Sequence, residues 1–236
     1  MTTITDLMAD GNRTTAARRP RLLDLFCCQG GAAKGYHDAG FDVTGVDINP
    51  QPRYPYEFHQ ADALEYAAAH WREFDAVHAS PVCKRYSIAT PAAARAAHPD
   101  QIAPTRDLLR QTSLPWVIEN VPGAPLRPDL ILCGCTVGLH EIERERWFET
   151  SWQARELRHP CYHRTSPITV AGHGEPSGLR SAHGLVAKVA DWRRAMGIDW
   201  MTRDGLAQAI PPAYTRVVGA HLLEQLAAVP VPGAAA

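Results

Sequence analysis

The alternation of short apolar runs with helical stretches is the feature of this sequence that most limits its fold. The apolar runs have the length of buried strands, and most are followed by an alanine-rich or amphipathic stretch. The predicted strands span 22–26, 41–46, 58–60, 74–79, 116–119 and 129–132. The predicted helices span 30–39, 63–71, 91–97, 104–111, 189–196 and 214–227, and Thr90 is the expected N-cap of the third. This order predicts an α/β fold with a doubly wound, mainly parallel sheet, as in Rossmann-like proteins.

The length of the chain, 236 residues, suits one domain with a small appendage. We expect a flexible polar tail over 1–20, a main domain over 21–150 and a small irregular insertion over 151–190. The insertion is rich in His, Pro, Gly and Ser and shows little periodicity. Helical pattern then returns over 191–229, which we expect to complete the main domain, and 230–236 is expected to be a loose tail.

Composition narrows the class of protein. With 45% hydrophobic and 21% charged residues the chain falls in the ordinary globular range, which excludes collagen-like and disordered chains. No apolar run approaches the roughly 20 residues of a membrane span, and the first 20 residues lack an apolar signal core. We therefore expect a cytoplasmic protein, monomeric and without a membrane partner. A net charge of −1 excludes a histone-like polycation but leaves a nucleic-acid enzyme open.

The first three predicted strands end in residues that suit a nucleoside ligand. The first, with Asp24 inside it, leads into a turn at Gly30 and Gly31, where a helix N-terminus favours negative charge. The second ends at Asp47, 17 residues after Gly30, a spacing at which an acidic residue often binds a ribose diol. Asp62 follows the third strand and is placed to meet an adenine amine. The full dinucleotide glycine fingerprint is lacking, which argues against NAD.

The ends of two further strands carry candidate catalytic side chains. Cys83 follows a buried strand at a turn set by Pro81, with Lys84 and Arg85 beside it. Nearby cations favour the nucleophilic thiolate, although a structural cysteine would also fit there. Glu119 ends another apolar strand, where desolvation would raise its pKa toward neutrality and make it a proton donor. A solvated glutamate at the strand end is the alternative.

The order of these motifs resembles that of the DNA cytosine-5 methyltransferases, in particular the short phage-type members. The resemblance runs from about Leu22 to Leu223. It rests on Asp24-Leu25-Phe26 with Gly30-Gly31, Pro81-x-Cys83 with Tyr86-Ser87, Glu119-Asn120-Val121, Arg144-x-Arg146 with Phe148, and Ala209-Ile210-Pro211-Pro212-Ala213-Tyr214 with Gly219.

The resemblance implies a class I methyltransferase fold and a reaction. Residues 21–150 would bind S-adenosylmethionine and carry catalysis, and 151–190 would recognise the target. Cys83 would attack C6 of a cytosine flipped out of duplex DNA, and Glu119 would bind or protonate N3. Arg144 and Arg146 would lie near the base or its phosphate. A role in restriction-modification would follow.

The resemblance also assigns binding residues. The cofactor would contact Asp24, Phe26, Cys28, Gly30, Gly31, Asp47, Ile48, Asp62, Ala63, Pro81 and Pro212. Phe26 would stack near the cofactor, Asp47 would bind its ribose, and Asp62 would meet its adenine. The substrate would contact Lys84, Ser87 and Asn120.

Three residues depart from the family pattern. Cys28 replaces a glycine of the first motif, and Val82 and Lys84 replace a proline and a glutamine that flank the nucleophile. These changes leave a catalytically weak binding or decoy protein as an alternative. The segment available for target recognition is also short, so a free cytosine nucleotide is an alternative substrate.

Six cysteines fit no evident disulfide framework in a chain without a signal peptide. Cys133-Gly134-Cys135 and the run His159-Pro160-Cys161-Tyr162-His163 offer side chains that bind metals. A single residue between ligands is more compressed than the usual zinc spacings. We therefore predict no metal site, and interpret these residues as polar loop residues and buried thiols.

Overall fold

A computed structural model describes residues 18–154, 161, 163, 167–168, 170 and 188–228. Within them lie seven strands and seven α-helices. The strands are β1 Arg21–Leu25, β2 Asp42–Asp47, β3 Glu57–Gln60, β4 Ala76–Ala79, β5 Trp116–Asn120, β6 Leu130–Leu132 and β7 Arg146–Thr150. The helices are α1 Gly31–Ala39, α2 Ala63–His70, α3 Ala92–Arg95, α4 Ile102–Leu109, α5 Val189–Met196, α6 Arg203–Gln208 and α7 Pro212–Ala228.

All seven strands form one sheet in the order β3-β2-β1-β4-β5-β7-β6. The pairs from β3 through β5 are parallel, whereas β7 runs antiparallel to both β5 and β6. The predicted doubly wound, mainly parallel sheet is confirmed. β7 was missed, because its charged residues Arg146 and Glu149 break the apolar pattern of a buried strand. Both find partners, Glu119 for Arg146 and Arg106 for Glu149.

Neighbouring residues of each central strand face opposite sides of the sheet, and both sides are covered. Leu22 and Val117 join the apolar cluster that includes residues of α1 and α7, while Leu23 and Ile118 join the cluster on α2 and α4. Burial on both faces explains why these strands are continuous apolar runs in the sequence.

A third apolar cluster lies outside the sheet. It joins Trp192 and Met196 of α5 and Leu206 of α6 to Ile142 and Val170. The structure thus packs α5 and α6 with part of the 151–190 insertion, while α7 packs on α1. Most of the predicted tail 1–20, most of the insertion and the whole tail 230–236 lie outside the described residues.

Several predicted helix starts differ from the observed ones by one or two residues; α7, for example, begins at Pro212 and not at Tyr214. The N-cap of α3 is Pro91 and not Thr90, and Pro91 is not the first helical residue. Helix α4 begins at Ile102, so that Pro104 lies in its first turn, where its missing N–H removes no helical bond. In the described part of the chain, no helix combines the length and apolarity needed to span a membrane.

Candidate active site

The loops that follow the parallel strands share one edge of the sheet, where doubly wound folds bind ligands. Among the described residues, the large apolar side chains that remain exposed are Ile48, Val82 and Ile88, at 65%, 38% and 92%. All three lie on loops after β2 and β4. Exposed apolar side chains gathered at one edge mark a surface that binds a partner or ligand.

The turn between β1 and α1 is tightly wound. Phe26, Cys28 and Gly30 have φ values of 58°, 45° and 82°, in the left-handed region. A Cβ on Gly31 would lie 2.5 Å from the carbonyl oxygen of Ile210, so this glycine allows the C-terminal motif to approach. Cys28 carries a Cβ in this left-handed conformation and is therefore strained, whereas a glycine at the same position would not be.

Asp47 is fixed at the end of β2 by backbone donors. Its carboxylate accepts the N–H of Cys28 at 3.0 Å and that of Asn49 at 2.9 Å. Ile48, beside it, exposes an apolar surface. A fixed carboxylate next to an exposed apolar side chain suits the diol and the flat base of a nucleoside.

Asp24 is buried in β1 with an oxygen that lacks a partner. The Tyr54 hydroxyl donates to Oδ2 at 3.3 Å, whereas the buried Oδ1 has no hydrogen bond. Burial is the main cause that raises the pKa of Asp24 to about 8, and the charge of Asp47 adds to it. A buried carboxylate with a free oxygen suits a cationic group, such as the ammonium of a bound amino acid moiety. The residues present thus fit S-adenosylmethionine.

Asp62 has a local structural role that the sequence did not reveal. Its Oδ1 accepts the N–H groups of Leu64 and Glu65, at 2.9 and 3.0 Å, and so caps α2. The carbonyl of Asp47 accepts the N–H of Ala61, which ties this loop to the β2 loop. Asp62 and Ala63, the first residue of α2, therefore lie at the same edge as Asp47.

The loop after β4 presents Cys83, which is half-buried. Its carbonyl accepts the N–H groups of Tyr86 and Ser87, both at 2.9 Å, which closes a turn. The Asn120 side-chain amide donates to the Pro81 carbonyl at 2.8 Å. Lys84 is exposed at the tip. Asn120, predicted to bind substrate, is thus the residue that holds the Cys83 loop to β5.

Glu119 and Arg146 form a nearly buried ion pair beside this loop. Arg146 Nε lies 3.0 Å from Glu119 Oε1, and the two side chains are 12% and 6% exposed. Burial raises the pKa of Glu119, although Arg146 and a hydrogen bond from Ser80 act in the opposite direction. Burial also raises the pKa of Cys83, and the Glu119 carboxylate adds to this, while Arg146 and Arg144 counteract it.

A chain of hydrogen-bonded polar side chains leads from helix α1 to Glu119. The Tyr36 hydroxyl lies 2.9 Å from His78 Nδ1, and His78 Nε2 lies 2.8 Å from Ser80 Oγ. Burial lowers the pKa of His78 to about 3, so its ring is neutral. Sequence reasoning missed His78 and Ser80; the available signal was a histidine inside a buried strand, which needs a hydrogen-bond partner.

Arg144 is placed differently from Arg146. Its guanidinium donates to the carbonyls of Val170 and Ala207, at 2.6 and 2.7 Å, and its own carbonyl accepts the Tyr214 hydroxyl. Burial, aided by the charge of Arg146, lowers the pKa of Arg144 to about 9. Arg144 therefore joins the insertion, α6 and α7 to the strand that carries Arg146.

The structure gathers the predicted residues at one edge, including the C-terminal motif. The Trp200 indole donates to the Gln29 carbonyl at 2.8 Å, and Pro212 begins α7, whose first turn lies against Gly35 of α1. Ser87 Oγ accepts the N–H of Ala89. The predicted contacts of these residues with cofactor or substrate stay predictions.

Comparison with known proteins identifies the fold. No family model and no curated protein sequence matches the chain. Among solved structures, the S. pombe Dnmt2 methyltransferase (15% identity) and the Entamoeba histolytica methyltransferase EhMeth (13%) each have a TM-score of 0.55. Both alignments cover 89% of this chain and 99% of the other. A Spodoptera frugiperda DNMT2 mutant gives 0.56 at 11% identity, covering 88% and 99%.

These structures define the class of the fold. The chain has the α/β fold of the class I S-adenosylmethionine-dependent methyltransferases. Within that class its fold is similar to that of the Dnmt2 methyltransferases, and the resemblance predicted from the motifs is confirmed at the level of the fold. The sheet order differs from the parallel dinucleotide order 3-2-1-4-5-6 by the antiparallel β7 between β5 and β6.

The left-handed Cys28 gives a first prediction. Cys28→Gly should be more stable to unfolding than Cys28→Ala by about 1 kcal/mol, because both remove the thiol and only glycine relieves the Cβ strain. Urea denaturation of the two variants measures this difference. An alanine variant equal to or more stable than the glycine variant would show that the turn is unstrained.

Asp24 gives a second prediction. Its folded pKa of about 8 lies above the ordinary value of 3.8, so its contribution to stability is complete below pH 4 and is lost as pH rises toward 8. Without ligand, the unfolding free energy of the wild type should therefore fall over this range relative to Asp24→Asn, by at most about 1.4 kcal/mol per pH unit. Parallel pH dependences in the two proteins would contradict this.

Proposed function

We propose that this chain transfers a methyl group from S-adenosylmethionine to C5 of cytosine in DNA, as a DNA (cytosine-5-)-methyltransferase. The observation that carries the proposal is the buried pair of Glu119 and Arg146 beside Cys83. The site thereby combines a proton donor, Glu119, a cation, Arg146, and a thiol, Cys83, at the edge of the sheet. Membership of the cytosine-5 methyltransferase family is part of the same proposal, supported by the order of the five motifs.

The residues that would hold the cofactor are those at the ends of β1 and β2. Asp24 would meet its ammonium group, Asp47 its ribose and Ile48 one face of its adenine. When bound, S-adenosylmethionine supplies an electrophilic methyl group on a sulfonium. The Phe26–Gly30 turn and Pro212 would enclose it from either side.

In the reaction, the Cys83 thiolate adds to C6 of cytosine, and Glu119 donates a proton to N3. The electron pair released toward C5 would take up the methyl group supplied by the cofactor, which Asp24 and Asp47 would hold and whose sulfonium would be left as a thioether. A base then removes the C5 proton, and elimination frees Cys83, while N3 returns its proton. Arg146 stays paired with Glu119 and offsets the charge that changes at N3 and at sulfur.

The electrostatics of the site couple the Cys83 thiolate to the protonation state of Glu119. With Glu119 ionised, burial and the Glu119 carboxylate both raise the pKa of Cys83, so its thiol stays protonated. Once Glu119 carries the proton that it donates to N3, this repulsion disappears. Arg146 and Arg144 then favour the Cys83 thiolate. The Cys83 thiolate is therefore favoured while Glu119 is protonated, before that proton passes to N3, and the thiol proton leaves to solvent.

The Cys83 loop supports a nucleic-acid substrate. Ile88 is 92% exposed and Lys84 is exposed on the same loop. An apolar side chain can insert between bases when a nucleotide is flipped from the duplex, and a lysine can contact the phosphates. These two contacts would hold the strand from which the target cytosine is extruded.

A free cytosine nucleotide is the second candidate substrate. Two observations favour it: the net charge of −1, and the roughly 40-residue segment available for target recognition. A nucleotide would need only the pocket around Cys83 and Glu119, and one phosphate contact such as Lys84.

The test is methyl transfer from labelled S-adenosylmethionine to duplex DNA, single-stranded DNA, RNA, dCMP and CMP in parallel. We expect labelled 5-methylcytosine in duplex DNA, and a loss of at least about 10³-fold in Cys83→Ala. Lys84→Ala should weaken DNA binding, whereas Lys34→Ala, which removes an exposed ion pair on α1, should not.

The outcomes separate the alternatives. Transfer to dCMP or CMP but not to DNA would replace the first proposal by the second. Full activity in Cys83→Ala would contradict the covalent mechanism for either substrate. Cofactor binding without transfer to any substrate would instead support the catalytically weak binding protein.

A further inference from the structure

Three cysteines and a histidine converge at the end of the sheet away from the cofactor residues of β1 and β2. Cys133, Cys135, Cys161 and His163 each direct one ligand atom into a group whose members all lie within 4.8 Å of one another. All the cysteines are free thiols. The four side chains come from two segments, 133–135 and 161–163, and have no part in the proposed methyl transfer.

The distances within the group are a few tenths of an ångström shorter than those of an occupied tetrahedral metal site. Cys135 Sγ and Cys161 Sγ are 3.3 Å apart, and His163 Nε2 lies 3.0 Å from Cys161 Sγ and 3.4 Å from Cys133 Sγ. A tetrahedral zinc ion with bonds of about 2.3 Å to sulfur and 2.0 Å to nitrogen would separate its ligand atoms by about 3.5–3.8 Å. Small shifts of these side chains would admit the ion.

The backbone around Cys133 forms a tight turn. Cys133 follows edge strand β6 and is 4% exposed, and its backbone carbonyl accepts the N–H of Thr136 at 3.0 Å. A Cβ on Gly134 would lie 2.6 Å from the Leu139 carbonyl oxygen, so the residue between the two cysteines has no room for a side chain. The tight turn thus brings the Cys133 and Cys135 sulfurs into one group.

We propose that Cys133, Cys135, Cys161 and His163 bind one structural zinc ion. Three thiolates and an imidazole form a soft donor set that favours zinc among the common divalent ions. Four protein ligands leave no open position, which indicates a structural and not a catalytic ion. The prediction of no metal site was based on the spacing of the ligands within each segment. The fold instead brings a Cys-x-Cys segment and a Cys-x-His segment together.

The ion would fasten the insertion to the sheet. Residues 161 and 163 belong to the segment between β7 and α5, and Cys133 is joined directly to β6, which pairs with β7 through Leu132 and Arg146. Metal binding would thus fix the start of the insertion next to the strand that carries Arg146. This proposal does not depend on the proposed methyl transfer.

The test uses the full chain, purified under reducing conditions without chelator. We expect about one zinc per chain by mass spectrometric metal analysis. Replacement of zinc by Co²⁺ should give the absorption of tetrahedral cobalt with thiolate charge-transfer bands. Cys161→Ser should lose the metal, Cys161→His should retain it, and Cys83→Ser should keep one ion per chain.

Several results would overturn the proposal. Wild-type protein without zinc that gives no thiolate band with Co²⁺ would exclude the site, and this measurement needs no variant. Metal loss in Cys83→Ser equal to that in Cys161→Ser would place the ion elsewhere. A Cys135–Cys161 disulfide in place of bound zinc in the protein as purified under reducing conditions, detected by intact mass, would make the group a redox pair. Methyltransferase activity enters none of these readouts.

Discussion

The buried ion pair between Glu119 and Arg146 is the interaction around which the candidate site is organised. The residues lie on adjacent strands, β5 and β7, at positions where the antiparallel register places Glu119 opposite Phe148 and Asn120 opposite Trp147. Because β7 runs antiparallel to β5, its first residue, Arg146, lies at the end of β5 beside Glu119, where it compensates the buried carboxylate.

The other parts of the edge depend on contacts between distant segments. The β1–α1 turn meets the C-terminal segment through Gly31 and Ile210, and through Trp200 and Gln29. Arg144, which lies just before β7, donates hydrogen bonds to the carbonyls of Val170 and Ala207. The candidate cofactor residues and the candidate catalytic residues thus share one support, and the small α5–α6 cluster is joined to it through Ile142 and Arg144.

Much of the sheet could be predicted from the sequence, because strands buried on both faces are continuous apolar runs. The site edge was also predictable, since Asp47, Cys83 and Glu119 each follow or end such a run. The sequence did not reveal partners that only the fold brings together. In the sequence, Arg146 and Glu149 cannot be told from surface charges. Their partners, Glu119 on β5 and Arg106 on α4, are distant in the chain and meet them only in the fold. The same holds for the His78–Ser80 chain and for the two segments of the cysteine–histidine group.

The central claim is that Cys83 forms a covalent bond to cytosine C6 beside the Glu119–Arg146 pair. Duplex DNA that carries 5-fluorocytosine tests it most directly, because fluorine at C5 cannot leave as a proton and the elimination of Cys83 is blocked. With S-adenosylmethionine present, the account predicts a stable protein–DNA adduct whose mass includes one methyl group and whose peptide link maps to Cys83. Methyl transfer to ordinary DNA without any such adduct, or an adduct at another cysteine, would contradict it.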